Sequence, residues 1–348
     1  MPFTVFQIAD MITATLFDEK DHRLSDLTPD LLRNYVAARR LFTASNKTMI
    51  EQGGKAVRFD VNVARGNVAE WVPPFKVEQT AIGDSIQQGK DEMRFIRTYF
   101  SFDQMEEVFN SGKFQIVDYI KNRHQNALID MTQKCETQFW GETAYADRTL
   151  KMNGILNLLP YVATEGFNGT YASGYSSVHD LDPTVYAGWK SYGAPYVAIT
   201  QDDVVIKMRR GWSRTRFEAP LDAMLIPNYK EADQYGLYMN LDTVQQFENQ
   251  LRLQNDSLGD DVAYESGRAM FKNTPLTDVA ALDSNARNPI FGINWGLLDV
   301  YKLKGWWDYP IVQPGANQPT VVNTFIYRAL QLITEDRRQL GFNFALAA

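Results

Sequence analysis

Between Phe114 and Phe139 the apolar and semi-apolar side chains recur at spacings of three and four: Phe114, Val117, Ile120, His124, Leu128, Met131, Cys135 and Phe139. This is the period of one helical face rather than of alternating strand faces. Neither proline nor glycine interrupts the run, and most of the residues between are good helix formers. The pattern predicts a helix from Lys113 to Gly141, about 40 Å long at ~1.5 Å of rise per residue. Helices of globular domains average about eleven or twelve residues, so this one reads as a strut laid across a flat subunit.

Other segments carry shorter patterns. Residues 1–27 have weak periodicity and scattered charge, the pattern of an extended arm ordered by a partner. Thr28-Pro29 suits a helix start, with Leu31, Tyr35, Ala38 and Phe42 on one face to about Thr43. Val57, Phe59, Val61 and Val63 alternate with Arg58, Asp60 and Asn62, predicting a half-exposed strand. After the turn signal Arg65-Gly66-Asn67 comes an aromatic and proline-rich stretch with Trp71, Pro73, Pro74 and Phe75, then polar residues through Gly89. A second strand-like run, EMRFIRTYFSF, is expected to close this long β-excursion. Two isolated strands are marginal in water, so apolar faces on the excursion imply a neighbour.

Beyond Gly141 the texture is loops and short strands to about residue 190. YVAIT (196–200) reads as a short buried strand, followed by a helix capped by Thr200 with Asp202 and Asp203 in its first turn. Leu241, Val244, Phe247 and Leu251 mark an amphipathic helix with Asp242 as its expected cap. IFGINWGLLDVYKL, VVNTFIYRALQLI and RRQLGFNFAL return to strand texture. Helices and strands are segregated rather than alternating βαβ, so the expected fold class is α+β.

The 348 residues carry a formal charge of −7, which argues against a surface devoted wholly to nucleic acid but leaves room for a local basic patch. Aromatic content of 13% suits large buried cores or interfaces. The single cysteine, Cys135, lies on the helix stripe and reads as a small buried hydrophobe. Its solitude fits a chain independent of oxidation. The first residues lack a basic n-region and Asp10 interrupts their apolar run, so no signal peptide is expected; nor is a membrane span.

Candidate chemistry is sparse. Glycine-rich phosphate loops and paired metal-ligand spacings are missing from the sequence, so no cofactor or metal is expected. His124 falls on the helix stripe as a packing residue. His179-Asp180-Leu181-Asp182-Pro183 holds an Asp-x-Asp but reads as a turn. The sharpest local signal is KMRRGWSRTR, with Lys207, Arg209, Arg210, Arg214 and Arg216 around Trp212 and no acid among them. It suits phosphate contact with stacking, or ion pairs with acids on an adjacent subunit or domain, and the second reading is favoured.

The order of these elements resembles that of the tailed double-stranded DNA bacteriophage major capsid proteins, the Hong Kong 97-type fold. FSFDQMEEVFNSGKFQIVDYIKNR is similar to the approach to that family's spine helix. GRAMFKNTPLTDVAAL with NPIFGINWGLLDVYKL is similar to its return from the axial domain, and YRALQLITEDRRQLGFNFAL to its terminal strands. The resemblance implies an N-terminal arm (1–54), an extended loop (55–98), a peripheral domain with the spine helix (99–150 and 289–348) and an axial domain (151–288). It further implies a structural, non-enzymatic protein that forms hexamers and pentamers in an icosahedral virion capsid, assembled in the host bacterial cytoplasm. The implied partners are packaged double-stranded DNA on the inner face, a portal, and scaffold or decoration proteins. Trp71, Pro73 and Phe75 are the expected intersubunit contacts, and a subunit that fits both hexamers and pentamers implies hinges of the arm and the excursion at Gly53-Gly54 and Gly89. Some members cross-link through lysine, for which Lys76 is one candidate donor. An encapsulin-like compartment is the near alternative. An aromatic-rich carbohydrate-active or carbohydrate-binding protein is the distant one, suggested by the Trp/Tyr loops between 154 and 192.

Overall fold

The computed structural model describes residues 35–43, 48–51, 54–63, 71, 73, 85–105, 113–217, 235–253, 262–265, 268–272, 274–315 and 318–347. Helix α1 is Val36–Thr43, followed by β1 (Thr48–Glu51), β2 (Ala56–Asn62), β3 (Ile86–Glu92) and β4 (Arg94–Asp103). The long helix α2 runs Lys113–Trp140, 28 residues, as its periodicity predicts. His124, Leu128, Met131, Cys135 and Phe139 are all buried along it. Phe114, Val117 and Ile120 fall outside the residues whose side chains are described.

After α2 come the short helix α3 (Ile155–Leu158), β5 (Gly166–Gly169), β6 (Ser191–Tyr196) and α4 (Ile206–Arg214). Next are β7 (Tyr235–Met239), α5 (Leu241–Leu253), β8 (Val262–Glu265), β9 (Arg268–Phe271), β10 (Thr274–Asp278) and β11 (Ile290–Asn294). Two long strands, β12 (Leu298–Gly315) and β13 (Gln318–Thr334), lead to the single turn α6 (Arg337–Leu340) and β14 (Gly341–Leu346). The fold class is α+β.

The described residues form three sheets. A four-stranded sheet has the order β1-β12-β13-β4, an eight-stranded sheet the order β5-β6-β14-β11-β7-β10-β9-β8, and β2-β3 form a hairpin. Strands from the end of the sequence thus sit at the centre of both larger sheets. One apolar core joins α1, α2, α3 and the inner faces of β11–β13 around Phe139, Trp140 and Trp295, whose rings contact one another. A second core fills the eight-stranded sheet beneath α4 and α5.

The structure corrects four local expectations. EMRFIRTYFSF does not close the excursion: its residues 94–102 lie in β4, paired with β13. The return arm is instead the polar segment β3, which pairs with β2 from Ala56↔Glu92 to Asn62↔Ile86. Gly89 is not a hinge but lies mid-strand opposite Phe59, and a Cβ there would fall 2.7 Å from the Phe59 ring. The strand expected at 196–200 lies earlier, at β6, and Val197 is exposed. The caps also differ. Thr200 makes no side-chain cap bond, while the Asp203 carboxylate accepts from the Val197 and Ala198 N–H groups; Asn240 rather than Asp242 caps α5, accepting from Thr243 N–H at 3.2 Å.

Candidate assembly surfaces

The four-stranded sheet has two unlike faces because its strands alternate. On β4, Phe100 and Phe102 point inward and pack on Ala127, Leu128 and Met131 of α2, with Ile326 of β13. Phe95, Arg97 and Tyr99 point the other way and are exposed. The hairpin β2–β3 covers one end of that outer face, burying Val57, Phe59, Val61 and Val63 with Tyr301, Ala329 and Ile333. Beyond the hairpin the outer face is a strip of aromatic rings. Phe95 meets Trp306 at 5.7 Å, Trp306 meets Tyr309 at 5.4 Å and Tyr327 at 6.0 Å, and Tyr99 meets Phe325 at 5.9 Å. The Arg97 guanidinium lies 5.7 Å from the Phe325 centroid. Phe95, Tyr99, Trp306 and Tyr309 are 54%, 63%, 38% and 45% exposed, a large aromatic surface for a lone subunit to leave in water.

The excursion beyond the hairpin presents a second apolar feature. Trp71 is fully exposed and Pro73 is exposed, while Phe75 and Lys76 lie outside the described residues.

A buried carboxylate clips the N-terminal helix to the long one. Glu136 on α2 accepts the Ala37 and Ala38 N–H groups at 3.1 and 2.7 Å and the Trp140 indole N–H at 2.7 Å. It caps α1 from a distant part of the chain, and burial nevertheless pushes its pKa up. Elsewhere, Arg337 is fully buried and donates to the carbonyls of Leu158 and Trp189, tying α6 to α3 and to the turn that precedes β6.

The basic run is mostly engaged within the subunit. Lys207 pairs with Asp203 and donates to the Pro195 carbonyl at 2.7 Å, and Arg210 pairs with Glu165 at 3.0 Å. Arg209 is half-buried, whereas Arg214 and Arg216 are exposed. Trp212 is core, packed on Phe217 and Phe271, and offers no face for a base to stack on. Trp189 and Tyr192, from the aromatic loops, are buried as well. Cys135 is buried and its thiol is pushed up to about 11 by desolvation. His124 is buried edge-on to Phe100. Among the described residues no group of three His, Cys, Asp or Glu side chains could hold a metal ion, and no helix is long and apolar enough to cross a membrane.

No protein-family model matches the sequence, and no curated protein matches it significantly. Solved structures do match by shape. The chain superposes on the capsid asymmetric unit of cyanophage A-1(L) with a TM-score of 0.59 at 14% identity, covering 86% of this chain and 90% of that one. It has the Hong Kong 97-type capsid fold. The capsid of a native GTA particle gives 0.53 at 10% identity, with 87% and 88% covered. The SrpI encapsulin of Synechococcus elongatus gives 0.50 at 11% identity, with 92% and 89% covered.

Within this capsid fold the aromatic strip is the feature that sequence reasoning missed. Its rings come from residues 95–99, 306–309 and 325–327, and only the pairing of β4 with β13 and β13 with β12 brings them together. A signal was present in β4, where Phe95, Arg97 and Tyr99 form one face and Ile96, Phe100 and Phe102 the other. Aromatics on both faces of a strand mean that both faces have apolar neighbours.

Proposed function

We propose that the chain is a major capsid protein that assembles through hexamers and pentamers into an icosahedral shell around double-stranded DNA. The observation that carries this reading is the half-covered outer face of the four-stranded sheet. Its own hairpin buries one end and leaves the strip of Phe95, Tyr99, Trp306, Tyr309, Phe325 and Tyr327 open. A neighbouring subunit would complete the cover, with Trp71, Pro73 and Phe75 of its excursion as the matching apolar group. In this reading residues 1–54 are the arm, 55–93 the extended loop, 94–150 and 289–348 the peripheral domain, and 151–288 the axial domain. We place the end of the loop near residue 93 rather than 98, a choice that the pairing of β4 with β13 supports. Arg214 and Arg216 are the members of the basic run best placed for DNA or for a neighbour's acids. Portal, scaffold and decoration proteins are the further partners of such a shell.

An encapsulin-like shell around protein cargo is the second reading, favoured by the likeness to the SrpI encapsulin over 92% of this chain. Contents separate the two. Shells recovered from the native source and treated with nuclease should retain double-stranded DNA of uniform length. Shells that retain a co-purifying protein and no DNA would replace the first reading with the second.

A further inference from the structure

One carboxylate holds the root of the β2–β3 hairpin. Asp91 accepts from the Gln331 side chain at 2.9 Å and from the Glu92 N–H at 2.8 Å through one oxygen. The other oxygen lies 2.8 Å from His179 Nδ1 and accepts from the Asn153 amide. Gln331 belongs to β13, Asn153 to the segment after α2, and His179 to a turn between β5 and β6. Four parts of the subunit therefore meet at a single side chain. Burial works against the Asp91 charge, yet the bonds from His179, Gln331 and the Glu92 N–H hold its pKa below the usual carboxylate range.

The His179 turn adopts an unfavourable backbone to make this contact. Val178 and Leu181 exchange backbone hydrogen bonds in both directions, closing a two-residue turn in which His179 and Asp180 have φ of 53° and 67°. Both central residues at positive φ is the type I′ geometry that Asn-Gly favours, and a histidine there needs compensation. The compensation is visible. The His179 side chain is fully buried, edge-on to Phe59 and Trp189, and its carbonyl accepts the Lys90 N–H at 2.9 Å. Nearby, a Cβ on Gly188 would fall 2.2 Å from the Val63 carbonyl, so the same segment meets the hairpin backbone directly.

Beside Asp91, the Gln331 side chain also donates to the Glu92 carbonyl at 3.0 Å; otherwise the described contacts of the hairpin with the sheet are apolar, through Phe59, Val61, Tyr301, Ala329 and Ile333. Apolar contact is non-directional and does not fix an angle; the bonds at Asp91 do. The lever matters. Seven residues of strand at about 3.3 Å each reach about 23 Å, so a 10° tilt at the root moves the outer end by about 4 Å.

We propose that Asp91 and His179 are positioning residues for shell assembly, latching the extended hairpin at a fixed angle to the subunit body and so setting where its outer end meets a neighbour. This rests on the shell reading above. The test compares Asp91→Asn, His179→Asn and the double variant with the wild-type chain; asparagine tolerates positive φ, so the second variant keeps the turn and loses the imidazole. Hydrogen exchange on the unassembled subunit should be about tenfold faster across 56–62 and 86–92 in His179→Asn, which loses one charge-assisted bond, and at least as much faster in Asp91→Asn, which also weakens the bonds from Gln331 and Asn153. The double variant should exchange no faster than Asp91→Asn alone, while β11 and β14 keep their protection. Electron microscopy of assembled material should then show a widened spread of particle diameters. Unchanged hairpin exchange in both single variants would overturn the latch, as would a loss of protection spread over the whole chain. A loosened hairpin with particles of unchanged diameter would overturn the positioning role. A wild-type chain that never forms shells would count against the shell reading alone, because the exchange rates decide the latch without assembly.

Discussion

Replacing Glu136 with alanine should detach the N-terminal helix from the spine of the subunit. The side chain is 3% exposed and serves three buried donors: the Ala37 and Ala38 N–H groups and the Trp140 indole. Loss of a helix cap costs about 1 kcal/mol, and leaving a buried indole N–H unpaired costs about 1–3 kcal/mol more. Relief of the buried charge offsets part of this, since desolvation outweighs the hydrogen bonds and raises the Glu136 pKa. A net destabilisation of about 2 kcal/mol is the expected result. Urea unfolding followed by tryptophan fluorescence measures it, with Trp140 reporting from the site itself. Trypsin gives a local reading: cleavage after Arg39 and Arg40 should accelerate more than cleavage elsewhere. Glu136→Gln, which keeps one acceptor oxygen, should fall between. The raised pKa fixes a sign as well. The Glu136 contribution is fully present below its ordinary value near 4.5 and is lost as pH rises through the raised one, a slope absent from Glu136→Gln. An alanine variant with wild-type urea midpoint and wild-type trypsin sensitivity would refute the clip.

Three further outcomes are expected. Phe95→Ser with Tyr99→Ser removes two exposed rings, so the subunit should keep its stability to within about 1 kcal/mol while losing assembly, read by sedimentation. Gly89→Ala pushes a Cβ into the Phe59 ring and should cost about 1–3 kcal/mol by urea unfolding, whereas a flexible hinge would tolerate the change. Asp91 has a lowered pKa, so its contribution is present above the ordinary value of 3.8 and is lost as pH falls through the depressed one. Asp91→Asn should flatten that acid limb in a stability-against-pH series.

What could be read from the sequence was whatever one element decides by itself. The long helix declared its buried face through spacing alone, and β2 declared its own through strict alternation. Its partner β3 stayed hidden because its inward position opposite Phe59 is a glycine, so IQQGKDE has no apolar stripe to find. The strand at Ser191–Tyr196 was hidden for a related reason. Its glycine and proline look like loop chemistry, yet β14 and β5 flank it on both sides within the eight-stranded sheet and most of its residues are buried. The basic run was legible as charge and, through the i,i+4 neighbour Asp203 of Lys207, partly as structure, whereas Glu165, which pairs with Arg210 from 45 positions away, depends on folding for its placement. The aromatic strip shows itself locally only in the two-faced pattern of β4, and the Asp91 junction not at all, because their remaining members come from distant parts of the chain, Gln331 lying 240 positions from Asp91.

The central claim is that the 39.7 kDa subunit closes into a shell. Cryo-electron microscopy of the purified, concentrated protein tests it most directly. Closed icosahedral particles, or fivefold and sixfold capsomers, are expected, with a neighbour's excursion covering Phe95, Tyr99, Trp306 and Tyr309. Monodisperse particles of about 40 kDa at every concentration, or a shell that leaves those rings facing solvent, would contradict it.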